Sequence, residues 1–353
     1  MTYIGIIIGA GFASGQEMLQ FFIKNGPHSF WGVLLCGLLF GLVAFLVLEK
    51  IRTSRIDTAA SYFGGGGFAL LTHILMALFL FCSYIVMTAA CGAFFSEILG
   101  APKWLGIVLF SAFCLIVFLK DAQGIIAVNI VLTPLMVVGI TILGVLFLTR
   151  TPVPSAAIQP VTLSDEGIWH WFFPSLLYAS YNVLPCVMIL SALRNQIKTR
   201  LTSVLVGVVS TLALTGIAVI MWLILWRTQD FSASAELPMM ASLGKNLGLF
   251  YIPLMFMAII TTAVSSGFGV IHSFGKHKIP IIIRILLVVI LGGALGFFGF
   301  SQLVAKLYTA FGWLGLFVMG YIIRDGFLHG FALKNPVKNM RKKSRDFSSV
   351  KTS

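Results

Sequence analysis

Long apolar runs, separated by short clusters of Lys, Arg, Gly and Pro, fill most of the chain. A helix needs about 20 apolar residues, at ~1.5 Å each, to cross a hydrocarbon core of ~30 Å. With charge clusters and Gly/Pro breaks marking the loops, the pattern predicts ten spans, at 3–23, 29–48, 68–99, 104–119, 125–148, 168–190, 201–226, 248–272, 281–299 and 303–323. The third is long enough to tilt steeply or to run beyond the membrane, and the fourth is short.

Composition excludes the alternative of two water-soluble domains. Of 353 residues, 59% are hydrophobic and 10% charged, against roughly 45–50% and 25% in soluble domains. Mean hydropathy is +1.01. The fold class expected is an all-α polytopic membrane protein in the lipid bilayer. The net charge of +13 does not point to nucleic acid, because the basic residues sit in loops and in the tail. With both termini in the cytoplasm, eighteen of the 24 Lys and Arg residues fall inside and six outside, as the positive-inside rule demands. The tail from Lys334 to Lys351 then lies against the anionic inner leaflet. The localisation expected is the bacterial cell (inner) membrane. Cys36, Cys82, Cys91, Cys114 and Cys186 all lie in apolar runs and read as buried thiols, with no disulfide framework. No cleavable signal peptide is visible at Met1–Tyr3. Outside, Arg150 to Gly167 reads as a Pro-rich linker, and Thr228 to Leu247 as a polar loop able to form a helical cap over a vestibule.

Two spans look interrupted. The first, GIIIGAGFASGQEMLQFF, places Gly9, Gly11 and Gly15 within seven residues, followed by Gln16 and Glu17. Glycine costs a helix about 1 kcal/mol relative to alanine, and a carboxylate near mid-membrane costs ~2.5–3.5 kcal/mol or more, so it faces a cavity or a partner. A small-residue packing face and an interrupted helix lining a site both fit the glycines; Gln16 and Glu17 favour the interruption. In the sixth span, WFFPSLLYASYNVLPCVMIL, Pro174 and Pro185 bracket Tyr178, Ala179, Ser180, Tyr181 and Asn182. A proline-kinked helix with satisfied polar groups and an opened helix again both fit. The pairing adds weight, because these spans open two five-span halves, and an odd number of spans per half inverts the second. Interrupted helices at matching places of inverted halves mark a midplane site in secondary transporters. The chain accordingly divides into 1–150 and 151–326, followed by a basic tail at 327–353. In the eighth span, Thr261, Thr262, Ser265 and Ser266 supply hydroxyls that could hold a hard cation or bond back to their own helix.

GAGFASGQE in the first span, YASYN in the sixth and the five-plus-five layout resemble the YkvI-type bacterial membrane proteins. These belong to the amino acid–polyamine–cation superfamily with the LeuT-type inverted-repeat fold, and are regarded as amino-acid permeases. The resemblance covers the whole chain in layout, with its sharp motif in the first span. It implies ten helices in a 5+5 inverted repeat with helices 1 and 6 interrupted. Backbone groups from Ala10, Gly11, Phe12, Ala13, Ser14 and Gly15 would face a substrate carboxylate, with Gln16 and Glu17 adjoining. Tyr178, Ala179, Ser180, Tyr181 and Asn182 would face its ammonium, and Tyr84 would be a wall residue, although a core aromatic is its blander role. A sodium ion would lie between helices 1 and 8, on carbonyls of Gly9, Phe12 and Ala258 and hydroxyls of Thr261 and Thr262. Gln16 stands where relatives holding a second sodium have asparagine, and the fifth span lacks the lysine of some proton-coupled relatives.

The expected function is therefore a cation-coupled secondary transporter, with sodium favoured, moving an amino acid or similar small zwitterion by alternating access. Proton coupling through Glu17, and a channel or sensor on the same fold, stand as alternatives. No cofactor beyond a coupling Na⁺ is implied. An enzyme is not expected: the six histidines are scattered, and no metalloprotease motif, nucleophile elbow or phosphate loop is present.

Overall fold

The structure, a computed structural model, describes residues 2–54, 62–63, 66–120, 123–151, 167–192, 197, 199–273 and 279–334. The linker at 152–166, Gly64 and Gly65, and the tail beyond Lys334 lie outside the described residues. Every regular element described is helical. The first segment is three short pieces, α1 (Thr2–Ile7), α2 (Ala10–Ser14) and α3 (Gln16–Phe21), before a 3₁₀ turn at Ile23–Asn25. Then come α4 (Ser29–Ser54), α5 (Gly66–Ile98), α6 (Lys103–Leu119) and α7 (Gln123–Arg150). The remainder is α8 (Trp169–Ala192), α9 (Arg200–Ser232), α10 (Pro238–Ser273), α11 (Ile281–Leu295), α12 (Phe300–Leu303) and α13 (Thr309–Lys334). A π-helical turn at Val304–Tyr308 joins the last two.

Among the described residues, seven helices are long and apolar enough to cross a membrane, and α6 is a shorter apolar one. Large side chains such as Leu38, Leu70, Leu212 and Phe317 are exposed. Such faces suit contact with lipid, where no water needs to be displaced. The chain is a multi-pass helical membrane protein.

Helices associate in lipid through close packing of small residues rather than through water exclusion, and the α4–α9 contact shows this. A Cβ at Gly41 would lie 2.8 Å from the Gly207 carbonyl oxygen, and one at Gly207 would lie 2.9 Å from that of Gly41. Further along the same face, Gly37 is covered by the Thr215 hydroxyl. The other principal contacts are α8 with α13, α5 with α10, α8 with α4, α5 with α6, α7 with α10, and α6 with α11.

One expectation about the elements fails. The helix carrying Pro174 and Pro185 is not interrupted: α8 runs unbroken from Trp169 to Ala192. Its polar side chains bond back onto the backbone, Asn182 Nδ2 donating to Tyr178 O (2.9 Å) and Cys186 Sγ to Asn182 O (2.9 Å). Ser180 Oγ donates both to Leu177 O (2.8 Å) and across to Gly312 O of α13 (2.6 Å). Gly315 of α13 lies so close that a Cβ there would overlap the Ser180 carbonyl. Two prolines remove two N–H donors, but packing against α13 and these local bonds hold the helix in register.

Candidate functional site

The first segment is broken twice. Ile8 and Gly9 leave the helical conformation, Gly9 being extended (φ −90°, ψ −178°). Across this point Gly9 N bonds Ile7 O (2.9 Å), and the regular ladder resumes with Ala13 N on Gly9 O (2.8 Å). The second break is Gly15, with φ +85°, a conformation that costs an L-residue ~1–2 kcal/mol. A Cβ there would also meet Met239 Cγ at 2.8 Å. Gly15 is thus required twice over, by its dihedral and by the approach of the turn that opens α10.

Glu17 lies in the first turn of the piece after the second break and turns inward, 3% exposed. Its carboxylate lies against Gly11: a Cβ there would overlap Oε1 and come within 2.9 Å of Cδ. Gly11 is therefore the seat of the Glu17 carboxylate. The charge is also in electrostatic contact with the phenols of Tyr178, Tyr181 and Tyr308. The Tyr178 and Tyr181 rings meet at 88° with centroids 5.5 Å apart, and Tyr181 and Tyr308 approach to 4.8 Å. Phe21, Phe22, Phe40 and Phe79 complete the aromatic surround. Glu17 Oε2 and the Tyr178 and Tyr181 hydroxyls are all buried: the two phenols turn toward the carboxylate as its hydrogen-bonding neighbours, and none of the three closes a bond of good geometry. Orphaned buried polar atoms are costly and uncommon, so three of them around one carboxylate mark a functional constellation.

The other residues singled out in the sequence fall around this core. Ala10 to Ser14 are buried in α2, with Ser14 Oγ donating to Gly11 O (3.0 Å) and Ala13 O accepting from Tyr251 (2.6 Å). Gln16 turns away from Glu17, and its Nε2 donates to Ala235 O (2.8 Å) and Glu236 O (3.2 Å) before α10. Tyr178, Ala179, Ser180, Tyr181 and Asn182 are all buried on α8, but only the two tyrosines reach the carboxylate. Tyr84 is not brought to the cluster. It faces α6 and α11, its ring tilted against Phe118 with centroids 5.9 Å apart and seated on Gly292. The wall from α5 is Phe79 and Ser83, Ser83 accepting from Ser266 Oγ (3.1 Å). These residues and Tyr308 carried no signal in the sequence beyond being polar or aromatic in apolar runs. Tyr308 sits at the end of the π turn, a local feature frequent at functional sites.

Among the expected ion ligands, the structure brings Gly9 to Thr262. A Cβ on Gly9 would lie 3.4 Å from Thr262 Oγ1, and that hydroxyl is buried without a hydrogen-bond partner. Thr261 instead bonds back to Met257 O (2.9 Å) and Ala258 O (3.2 Å), while Ala258 packs with Ala13 and Met136. Phe12 O accepts from Gly15 N (2.9 Å).

Both ends of the bundle are tied. At one, Glu97 accepts from the backbone N–H groups of Glu236 (2.8 Å) and Leu237 (3.1 Å), and Lys103 pairs with Glu236 (2.7 Å). Gln16 fastens the same turn, and the start of α10 kinks at Gly244. The polar loop expected to form a cap is thus a short helical turn lying over Gly15. At the other end, Lys50, 9% exposed, pairs with Asp325 (2.9 Å), donates to Tyr62 O (2.7 Å) and lies over the Tyr62 ring.

A broken buried helix carrying a carboxylate, inside a bundle of membrane-length helices, defines a polytopic membrane protein with an internal polar site. Comparison with known proteins fits this class. The chain is 28% identical over 328 residues to the uncharacterized protein YyaD of Bacillus subtilis, covering 90% of this chain and 93% of that one. It is 22% identical over 331 residues to the uncharacterized membrane protein YkvI of the same organism, covering 91% and 93%. No family model matches. In fold it is similar to two mutant crystal structures of the manganese transporter of Eremococcus coleocola, each with a TM-score of 0.50. One is 11% identical and the other 12%; they cover 98% of this chain and 89% and 90% of theirs.

Proposed function

We propose that the protein is a secondary active transporter of a small amino compound in the cell membrane, coupled to a cation and working by alternating access. The observation that carries this reading is the double break at Gly9 and Gly15, with Glu17 buried beside it. Opened backbone at membrane depth is tolerated where it is buried in protein or lines a cavity, and an ionisable side chain beside it points to a functional site.

Helix packing supports two inverted five-helix halves of LeuT type, 1–150 and 151–326, because the second, third and fourth spans pack against the seventh, eighth and ninth. The tie at Glu97 is then the outer gate and that at Lys50 the inner, with both termini cytoplasmic. Sodium is the coupling ion favoured, at Gly9 and the orphaned Thr262 hydroxyl, hard oxygens of the kind it takes. Among the described residues no three His, Cys, Asp or Glu side chains cluster, which gives no support to a manganese cargo like that of the structural neighbour. A second reading, proton coupling through Glu17, is favoured by the burial of that carboxylate among phenols.

The test is uptake into proteoliposomes of purified protein, under an imposed sodium or proton gradient, of labelled amino acids and amines. Uphill accumulation under one gradient supports the reading and excludes a channel. Equilibration alone, unaffected by either gradient, refutes it.

A further inference from the structure

Resting on the transporter reading, we infer that the site recognises a primary ammonium group through Glu17, Tyr178 and Tyr181, and that a substrate carboxylate is not required. Glu17 Oε2 and the Tyr178 and Tyr181 hydroxyls are three buried oxygens gathered together, the phenols turned toward the carboxylate, with no well-formed hydrogen bond closed by any of the three. A primary ammonium carries three N–H donors and no acceptor. One such group satisfies all three oxygens and neutralises the carboxylate.

The case against a zwitterion comes from Gly11. In a site where main chain at the break holds a substrate carboxylate, the space beside the glycine is open. Here the chain's own carboxylate fills it, since a Cβ on Gly11 would overlap Glu17 Oε1. No cationic side chain offsets a second carboxylate: among the described residues the buried charged side chains are Glu17 and Lys50, and Lys50 is engaged with Asp325 at the far end. A zwitterion brings a second carboxylate to a place beside Gly11 that Glu17 already fills, whereas a monocation meets Glu17 alone. The substrate class is therefore a small alkylamine carrying a primary ammonium and an apolar or neutral remainder, fitting the phenylalanine surround.

The experiment is isothermal calorimetry and thermal unfolding on the detergent-purified full chain, with n-butylamine, tetramethylammonium, norvaline and butyrate as probes. The expected result is binding and thermal stabilisation by butylamine, weaker effects of tetramethylammonium, which has no N–H donor, and none by butyrate. Glu17→Gln weakens butylamine binding roughly 10- to 100-fold, the loss expected for a charge-assisted hydrogen bond. Tyr178→Phe and Tyr181→Phe keep the rings and remove only the hydroxyls, and each weakens binding by about 10-fold, so the proposal stays testable if Glu17→Gln does not fold. Norvaline binding more tightly than butylamine, or butylamine binding unchanged in Glu17→Gln or in both tyrosine variants, overturns it while leaving the transporter reading intact. If neither amines nor amino acids bind and none is accumulated in proteoliposomes, both readings fall.

Discussion

Gly11 and Gly15 are four residues apart in one broken helix, yet replacing each with alanine has opposite consequences. At Gly15 the added Cβ must adopt φ +85°, costing ~1–2 kcal/mol. It also meets Met239 Cγ at 2.8 Å and the Met239 backbone nitrogen at 3.3 Å, and overpacking of that kind costs about 1–3 kcal/mol. Lower unfolded-state entropy returns ~0.4–1 kcal/mol, so the net destabilisation is about 1–4 kcal/mol. At ~2 °C per kcal/mol for a large domain, Gly15→Ala melts roughly 2–8 °C below the parent. Gly11 lies in α2 with no positive φ, so Ala is compatible with the backbone and gains ~0.5–1 kcal/mol of helix preference. Its Cβ displaces only the end of a flexible side chain, the Glu17 carboxylate. Gly11→Ala therefore melts close to the parent but binds its ligand about 10-fold or more weakly, because the carboxylate leaves its seat. Thermal unfolding in detergent paired with ligand titration reads both. Wild-type melting of Gly15→Ala together with wild-type binding by Gly11→Ala would refute the reasoning.

Three further outcomes are expected. Thr262→Ala should weaken the sodium response of uptake while Thr261→Ala leaves it near normal, since only the Thr262 hydroxyl is free of its own helix; equal effects would show that the ion lies elsewhere. Asp325→Asn leaves the Lys50 ammonium with the Tyr62 carbonyl and the Tyr62 and Tyr321 rings but no counter-charge and should cost ~3–5 kcal/mol, with Lys50→Met combined with Asp325→Asn recovering part of it; additive losses in a double-mutant cycle would show that the pair is not coupled. Gln16→Ala should loosen the turn over Gly15, so that a cysteine at Ala13, in a chain without its native thiols, reacts faster with a maleimide than in the Gln16 parent; equal rates would remove Gln16 from the closure.

The helical class and the first break were legible because both rest on chain-local physics. Apolar runs of span length admit only helices, and glycines beside Glu17 make a continuous helix poor in propensity and unable to bury a lone charge. The sixth span misled for a related reason. Pro174 and Pro185 do remove donors, but the Ser180 to Gly312 bond and the Gly315 contact are tertiary, and nothing in YASYN announces them. The sequence places Tyr84 midway along α5, but the face of a helix that meets the site depends on rotation. Phe79 and Ser83, one turn apart, share the face that the neighbours select. The role of Gly11 was equally hidden: helical spacing brings it near Glu17 only if the chain folds back at Gly15, and that left-handed residue is visible in coordinates alone.

The two ties and the carboxylate together constrain how such a protein can work. Buried to 3% exposure, Glu17 sits in a medium where an uncompensated charge costs several kcal/mol. Closure around the empty carboxylate is thus disfavoured, and closure around a carboxylate neutralised by a bound cation is not. A ligand shifts a conformational balance only by its difference in affinity between the states. Here that difference has a physical source, because the cation is worth more in the closed, water-free site than in an open one where solvent already screens Glu17. Charge neutralisation then couples binding to closure without any new contact at the gates. It follows that in Glu17→Gln the closed form should persist without ligand, and that ligand should no longer change the protection of either gate from thiol reagents. A Glu17→Gln protein whose gates still respond to ligand as the parent's do would place the coupling in gate contacts instead of in the charge.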